Sequence, residues 1–364
     1  MTPGSAIARL ETKPLNVPLN EPFAIATGTK SQANNVLIQL VLANGITGYG
    51  EGAPPADSTQ EAQDEILAVL KRQAKSFIGR DILALRTLLE AIDEKFNARQ
   101  GCARAALGMA AADAWARSRK LPLRLLFGGA QTRIFSDVTV TIMEPSRAQK
   151  AARKILGMGI RTIKIKVGKD VAEDFERIRA VASLSKGLRL IVDANQGYGP
   201  RESLKLLRQL KKHGIKPALF EQPAAKDDWG GLKDVHRLGK ISVAADESVS
   251  NRKEALKMAR LKAAQVVNIK LMKCGLLEAW DIALICRAAG LGLMIGGMVE
   301  SPLAMACSAH FAAGLGGFDF VDLDTPLWFK RNPMRGVSIG RGGVYDLARV
   351  SAGIGVTPRG VKWV

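Results

Sequence analysis

Between residues 163 and 324 the chain repeats one pattern. A short apolar run ends in a charged or polar residue, a stretch with helical spacing follows, and the next run begins roughly 25–30 residues later. Including one earlier run, the candidate strands are 136–142, 162–167, 188–195, 218–223, 241–248, 266–271, 293–300 and 318–324. Amphipathic stretches at 171–184, 200–213, 252–259 and 276–289 lie between them. Strand and helix alternating in this number predict an α/β fold with a closed parallel (β/α) barrel. A doubly wound sheet is the runner-up, but no GxGxxG opens a helix here.

The first third is patterned differently. Residues 36–42 and 46–51 flank Asn44-Gly45 and predict an antiparallel hairpin. Helical spacing follows at 60–77, 84–96 and the Ala-rich 103–119, with a short helix at 123–129 stopped by Gly128-Gly129. Strands followed by helices, without alternation, predict an α+β domain. After residue 327 the chain is rich in glycine, and 336–347 suggests a pair of short strands returning to the first domain.

Composition changes this picture little. Hydrophobic residues make up 47% of 364, enough for a substantial core, and no apolar run is long enough to span a membrane. The first residues lack the apolar stretch of a secretory signal, which points to the cytoplasm. Cys102, Cys274, Cys286 and Cys307 are scattered without metal spacing and read as buried free thiols of a reducing compartment. The net charge of +19 raises the question of nucleic acid. The basic residues are spread along the chain, however, and the densest group, Arg208 to Lys216, lies on an amphipathic helix and reads as a solvated face. His213, His236 and His310 fall away from strand ends and read as surface or satisfied residues. No nucleic acid or membrane partner is expected, and a homo-oligomer is left open.

The strand ends carry the chemistry. Alternation along a strand puts Lys164 and Lys166 on one face, and likewise Asp193 with Asn195 and Asp322 with Asp324. The opposite face, Ile163, Ile165 and Val167, belongs under helices, so the polar set must face the barrel mouth. Asp193, Glu221 and Asp246 end three consecutive strands. Three carboxylates converging there call for a hard divalent cation, and Mg²⁺ suits oxygen ligands. Glu247 has the wrong parity for a ligand and is assigned, with Asn195, to the groups behind the ligands. Lys166 precedes the metal strands and Lys270 follows them, on opposite sides of a closed barrel. Lys164, a like charge at ~4 Å, would cost about 4 kcal/mol and lower the basicity of its neighbour. Two opposed amines around a cation predict removal of a proton beside a carboxylate and its return to the other face. Asp322 and Asp324, at the end of the last strand, suit a substrate ammonium.

The motifs Lys164-Ile-Lys166, Asp193-Ala-Asn195, Phe220-Glu221-Gln222-Pro223, Ala245-Asp246-Glu247-Ser248 and Asn268-Ile-Lys270 together resemble the enolase superfamily, in its muconate-lactonizing-enzyme subgroup. The resemblance spans nearly the whole chain. It implies an α+β capping domain (1–131), a (β/α) barrel (132–327) and a C-terminal segment (328–364) that returns to the capping domain. The late motifs Asp322-Leu-Asp324-Thr-Pro-Leu and Met298-Val-Glu300-Ser301 resemble those of dipeptide epimerases, including L-Ala-D/L-Glu epimerases. That likeness implies a dipeptide whose C-terminal carboxylate binds Mg²⁺, whose ammonium meets Asp322 and Asp324, and whose C-terminal residue is epimerised through an enediolate by Lys166 and Lys270, beside Lys164. It also places Met298 at the substrate, Glu300 behind it, and a lid over the site from loops 21–31 and 50–60. Members that prefer a glutamyl residue tend to carry an arginine in the first lid loop. Thr27 occupies that place here, with Lys30 as a substitute, so the side-chain preference stays open. Cycloisomerases and o-succinylbenzoate synthases share the metal and lysines without this acidic pair and form the alternative. A non-enzymatic basic binding protein would need a contiguous basic stripe.

Overall fold

A computed structural model describes residues 4–55 and 61–363. The first domain is a three-stranded antiparallel sheet of β1 (Ile7–Ile25), β2 (Gly28–Leu42) and β3 (Thr47–Gly52), in that order. Helices α1 (Gln63–Ala74), α2 (Leu85–Lys95) and α3 (Gly101–Ser118) follow. The expected hairpin closes at Asn44-Gly45, with Val41 opposite Thr47. The expected start of α1 at Gln60 lies outside the described residues. Strand β1 was not anticipated. Pro14 and Pro18 lie within it and cannot donate to a ladder, but β1 is the edge strand of its sheet, laddered to β2 on one side and touched on the other by a single bridge from Leu19 to Phe329. Glycines in β3 set the packing of α3. A Cβ on Gly50 would come 2.0 Å from the Ala106 carbonyl oxygen, and one on Gly48 2.2 Å from that of Ala110. The Ala-rich helix therefore lies directly against the sheet.

Eight parallel strands form the second domain: β5 (Val138–Val140), β6 (Thr162–Lys166), β7 (Arg189–Asp193), β8 (Leu219–Glu221), β9 (Val243–Ala245), β10 (Val266–Ile269), β11 (Gly292–Ile295) and β12 (Phe320–Val321), bonded in sequence order. All eight anticipated strands are present, each shorter than expected. The short β4 (Arg133–Phe135) leads into them. Helices α4 (Pro145–Gly157), α5 (Val171–Ala182), α6 (Pro200–Lys212), α7 (Trp229–Gly239) and α8 (Arg252–Leu261) join successive strands. A single turn, α9 (Leu271–Cys274), then α10 (Leu276–Ala288) and α11 (Pro302–Leu315) complete the set. The first and last strands meet where Asp137 N donates to Val321 O at 2.8 Å. Helix α6 shows why the basic stretches read as solvated faces: it buries Leu206, Leu207 and Leu210 and leaves Arg208, Lys211 and Lys212 exposed.

The barrel has two cores. Ile163, Ile165 and Val167 join the large core under the helices. Ile191, Leu219, Ala244, Val266, Met294 and Phe320 form a separate cluster inside the barrel. Each of the six lies two residues before a position facing the mouth, so together they make an apolar floor beneath it.

Of the two short strands expected within 336–347, one lies inside that range and the other ends at its start. Strand β13 (Met334–Gly336) pairs with β15 (Val356–Pro358), and β14 (Val344–Asp346) pairs with β4. Past residue 350 the chain reaches α3: Ile354 N donates to Asp113 Oδ1 at 2.7 Å, and Arg117 donates to Val356 O at 3.2 Å. Glu51 of β3 ties the capping domain to the barrel. It accepts from Ser301 N (2.9 Å) and Asn35 Nδ2 (2.7 Å), and from the Ser301 hydroxyl, at the start of α11. All four cysteines are buried and unpaired. His310 is buried and satisfied, between Arg124 N at 3.0 Å and Ile354 O at 3.0 Å.

Candidate active site

The strand ends meet at one place. Register sets Lys166 opposite Asp193 and Asp193 opposite Glu221 on β6, β7 and β8. Asp246 lies two residues beyond Ala244, the partner of Glu221. Lys164, Asp193 and Glu221 are fully buried, and Lys166, Asp246 and Lys270 nearly so. The Lys164 ammonium lies 2.6 Å from Asp322 Oδ2, 2.8 Å from Glu221 Oε2 and 2.9 Å from Asp193 Oδ2. Lys166 Nζ donates to Asp193 Oδ2 (2.6 Å) and Asn195 Oδ1 (2.9 Å). Lys270 Nζ lies 2.6 Å from Asp246 Oδ2, and Lys273 Nζ 2.8 Å from Asp246 Oδ1. Asn195, at φ +41°, and Gln222, at φ +35°, turn the chain sharply as it leaves β7 and β8.

Among the described residues no three acids are grouped as a metal cage. The acids are paired with lysines instead: Lys164 bridges Asp193 and Glu221, while Lys270 and Lys273 hold Asp246. The donor set itself fits a hard divalent cation, with three carboxylates from adjacent parallel strands at the barrel mouth. Glu221 Oε2 is buried and makes no hydrogen bond, although the Lys164 charge is near it. Burial, then Asp193, push the Glu221 carboxyl up to about 7 against the pull of Lys164. Burial also raises Asp193, but Lys164 and Lys166 outweigh it and hold that carboxyl at about 2.

Burial lowers Lys164 and Lys270, but Asp193, Asp322 and Glu221 outweigh it at the first, and Asp246 and Glu221 at the second. Both amines therefore stand above the usual lysine value.

A cavity of about 440 Å³ opens above this layer. Lys166, Lys270, Asp246, Asn195, Asp322 and Asp324 line it, whereas Lys164, Asp193 and Glu221 lie beneath. Asp324 Oδ2 accepts from Thr139 N at 2.7 Å and from Trp328 Nε1 at 3.4 Å. Burial, then Asp322, push Asp324 up to about 6. Phe23 packs edge-on against Trp328 at 5.0 Å, roofing the acidic pair. Met298 and Glu247 are half-buried and line the cavity. Glu300 is buried behind them, and its Oε1 accepts from Met298 N at 2.7 Å.

The first lid segment, expected as a loop at 21–31, is the tip of the β1–β2 ribbon, turning at Ala26-Thr27. It rests on the loops after β6 and β7, where a Cβ on Gly168 or Gly197 would come 3.0 Å or 2.7 Å from Ala26 Cβ. Thr27 is exposed and lines the cavity. Lys30 does not line it, and its Nζ donates to Pro54 O at 2.6 Å, joining the two lid segments. Of the second segment, 50–60, Pro55 lines the cavity and residues 56–60 lie outside the described residues.

Two polar groups went unread. Asn268 donates to Glu221 Oε1 at 2.7 Å, and Lys273 also donates to the carbonyls of Asp246 (2.6 Å) and Asn268 (2.8 Å). Asn268 lies two residues before Lys270, the spacing already used for Lys164 and Lys166, so alternation could have found it. Lys273 falls on α9 and carries no such signal.

Residues 9–128 match the model of the mandelate racemase/muconate lactonizing enzyme N-terminal domain, and residues 147–362 that of the enolase C-terminal domain-like family. The chain is 42% identical over 353 residues to an aromatic dipeptide epimerase of Herpetosiphon aurantiacus, covering 97% of this chain and 99% of that one. It is 36% identical over 316 residues to an L-Ala-D/L-Glu epimerase of Thermotoga maritima, covering 87% and 91%. The dipeptide epimerase of Enterococcus faecalis V583, solved with Mg and L-Leu-L-Tyr, superposes with a TM-score of 0.92 at 31% identity, covering 97% of this chain and 99% of that one.

Proposed function

The chain belongs to the mandelate racemase/muconate lactonizing enzyme family, with an enolase-like C-terminal domain, and from that premise we infer that it is a dipeptide epimerase inverting the α-carbon of the C-terminal residue. The observation that carries this reading is the placement of two amines. Lys166 ends β6, and Lys270 follows β10, four strands further round an eight-stranded barrel, and both open on the cavity that Asp322 and Asp324 line. Relatives named as dipeptide epimerases over nearly the whole length support it.

Asp193, Glu221 and Asp246 would hold Mg²⁺. Bound there, the ion supplies positive charge beside the substrate carboxylate and lowers the cost of the charge that develops when the α-proton leaves. Asp322 and Asp324 take the substrate ammonium, which fixes the distance from the N-terminus to the reacting carbon. One lysine takes the α-proton and the other delivers a proton to the opposite face, so the centre inverts. Lys164, beneath the cavity, keeps Asp193, Glu221 and Asp322 in place. The lid tip, with Phe23 and Ile25, excludes water from the reacting carbon.

The cavity favours apolar side chains. Four lysines and six acids line it, so the net charge of +19 is not expressed there. Among the described residues no arginine lines it, while Phe23, Ile25, Trp229, Met298 and Val299 do. A dipeptide library incubated with the protein and Mg²⁺ in D₂O, read by mass, tests the proposal. Deuterium should enter the C-terminal residue, fastest in apolar dipeptides. No incorporation in any dipeptide, with turnover of an acyclic succinylbenzoate precursor, would replace this reading with its alternative.

A further inference from the structure

The floor of the barrel has one acidic member. Six strands place an apolar residue there: Ile191, Leu219, Ala244, Val266, Met294 and Phe320. On β6 the equivalent position, two residues before Lys164, is Thr162. Two residues before Thr139, whose side chain lines the cavity, is Asp137. Its side chain therefore faces the barrel interior. Asp137 is 2% exposed, and neither of its carboxyl oxygens has a hydrogen-bond partner among the described residues.

Its main chain is fixed against the last strand. Asp137 N donates to Val321 O at 2.8 Å. Ser136 Oγ donates to Asp137 O and accepts from Leu323 N, both at 2.8 Å. The residue enclosed between Val321 and Leu323 is Asp322. Lys164, Asp322 and Asp324 are the charged groups facing Asp137 from the site. Asp137 also lines a cavity of about 240 Å³ at the bottom of the barrel, with Thr162, Arg189 and Asp319. Arg189 is stacked over Phe320 at 4.3 Å and donates to Asp319 O at 3.2 Å. Lys164 Nζ donates to Asp322 Oδ2 at 2.6 Å and pairs with Asp193 and Glu221, and no hydrogen bond joins it to Asp137.

A buried carboxylate without a donor is costly, and retaining its proton removes the charge and creates a donor. Burial first, then the charge of Asp322, raise the Asp137 carboxyl well above the usual range against the pull of Lys164. We propose that Asp137 is a positioning residue, a neutral carboxylic acid whose O–H donates to the Asp322 carboxylate from the barrel floor. Asp322 is then gripped by Lys164 and Asp137 together, and its remaining lone pairs are presented to the substrate ammonium. The consequence for binding rests on the reading of Asp322 given above; the proton on Asp137 does not.

Infrared spectroscopy tests the proton directly. At neutral pH with Mg²⁺ present, the difference between the protein and its Asp137→Asn variant should contain the C=O stretch of a protonated carboxylic acid that shifts in D₂O. Only carboxylate bands in that difference would overturn the proposal, whatever the substrate proves to be. Steady-state kinetics tests the positioning. Asp137→Asn keeps a donor and should hold KM within about threefold, whereas Asp137→Leu, which suits the apolar floor, should raise KM for dipeptides about tenfold. Its kcat, and KM for N-acylated analogues without the ammonium, should change little. Equal KM values in the two variants, or an equal rise for N-acylated analogues, would contradict the role assigned to the hydrogen bond.

Discussion

The floor and the mouth of the barrel are built by the same strands, two residues apart. On β7, β8 and β12 the pairs are Ile191 and Asp193, Leu219 and Glu221, and Phe320 and Asp322. The floor packs six apolar side chains against one another, with Asp137 beside them. The mouth replaces that cluster with ammoniums and carboxylates that satisfy one another at 2.6–2.9 Å. The difference shows how the barrel separates stability from chemistry. Burial holds the strands from below, so the upper layer can carry charges that would be costly anywhere else in a core.

The strongest way to break the comparison is at the mouth. Lys166→Ala and Lys270→Ala should each lower epimerisation by about 10³-fold or more, assayed by optical rotation or chiral chromatography. Both should still fold, since Asp193 keeps Lys164 and Asp246 keeps Lys273. Near-normal turnover in both would remove the two-amine scheme. At the floor the effects should reverse. Met294→Ala, at a fully buried position, should cost about 2–5 kcal/mol in urea unfolding and leave kcat nearly unchanged below its midpoint.

A third region separates titration of the mouth from titration of the fold. Burial holds His310 down at about 4 from the usual 6.5, against the hydrogen bond to Ile354 O. The unfolded chain therefore binds a proton that the folded protein refuses. Stability should be flat above pH ~6.5 and fall between ~6.5 and ~4, losing about 2 kcal/mol by pH ~5. His310→Gln should flatten that fall, and an unchanged slope would place its origin elsewhere. The smallest effect should come from Asp322→Asn, which should raise KM for dipeptides about tenfold and KM for N-acylated analogues less. An equal rise in both would detach this residue from the ammonium.

Most of the mouth was legible because alternation and strand ends are local signals: a polar residue closing an apolar run points inward if its neighbours on either side are buried. The floor was not, since Ile191 and Val192 look alike in sequence although one faces the barrel interior and the other the helices. Asp137 was hidden for a related reason. An acid opening a strand after Ser136 reads as a turn residue, and its burial appears only when β5 meets β12. Strand β1 was missed because its prolines argue against a strand, an argument that lapses at a sheet edge. The lid tip carries too few apolar residues to announce a ribbon.

The central claim is that two amines address opposite faces of one carbon. Deuterium exchange in D₂O with Mg²⁺, measured separately for the two stereoisomers of a good dipeptide substrate, tests it most directly. Lys166→Ala should retain exchange from one isomer only and Lys270→Ala from the other. Exchange of the same isomer in both variants, or of both isomers in either, would contradict the account.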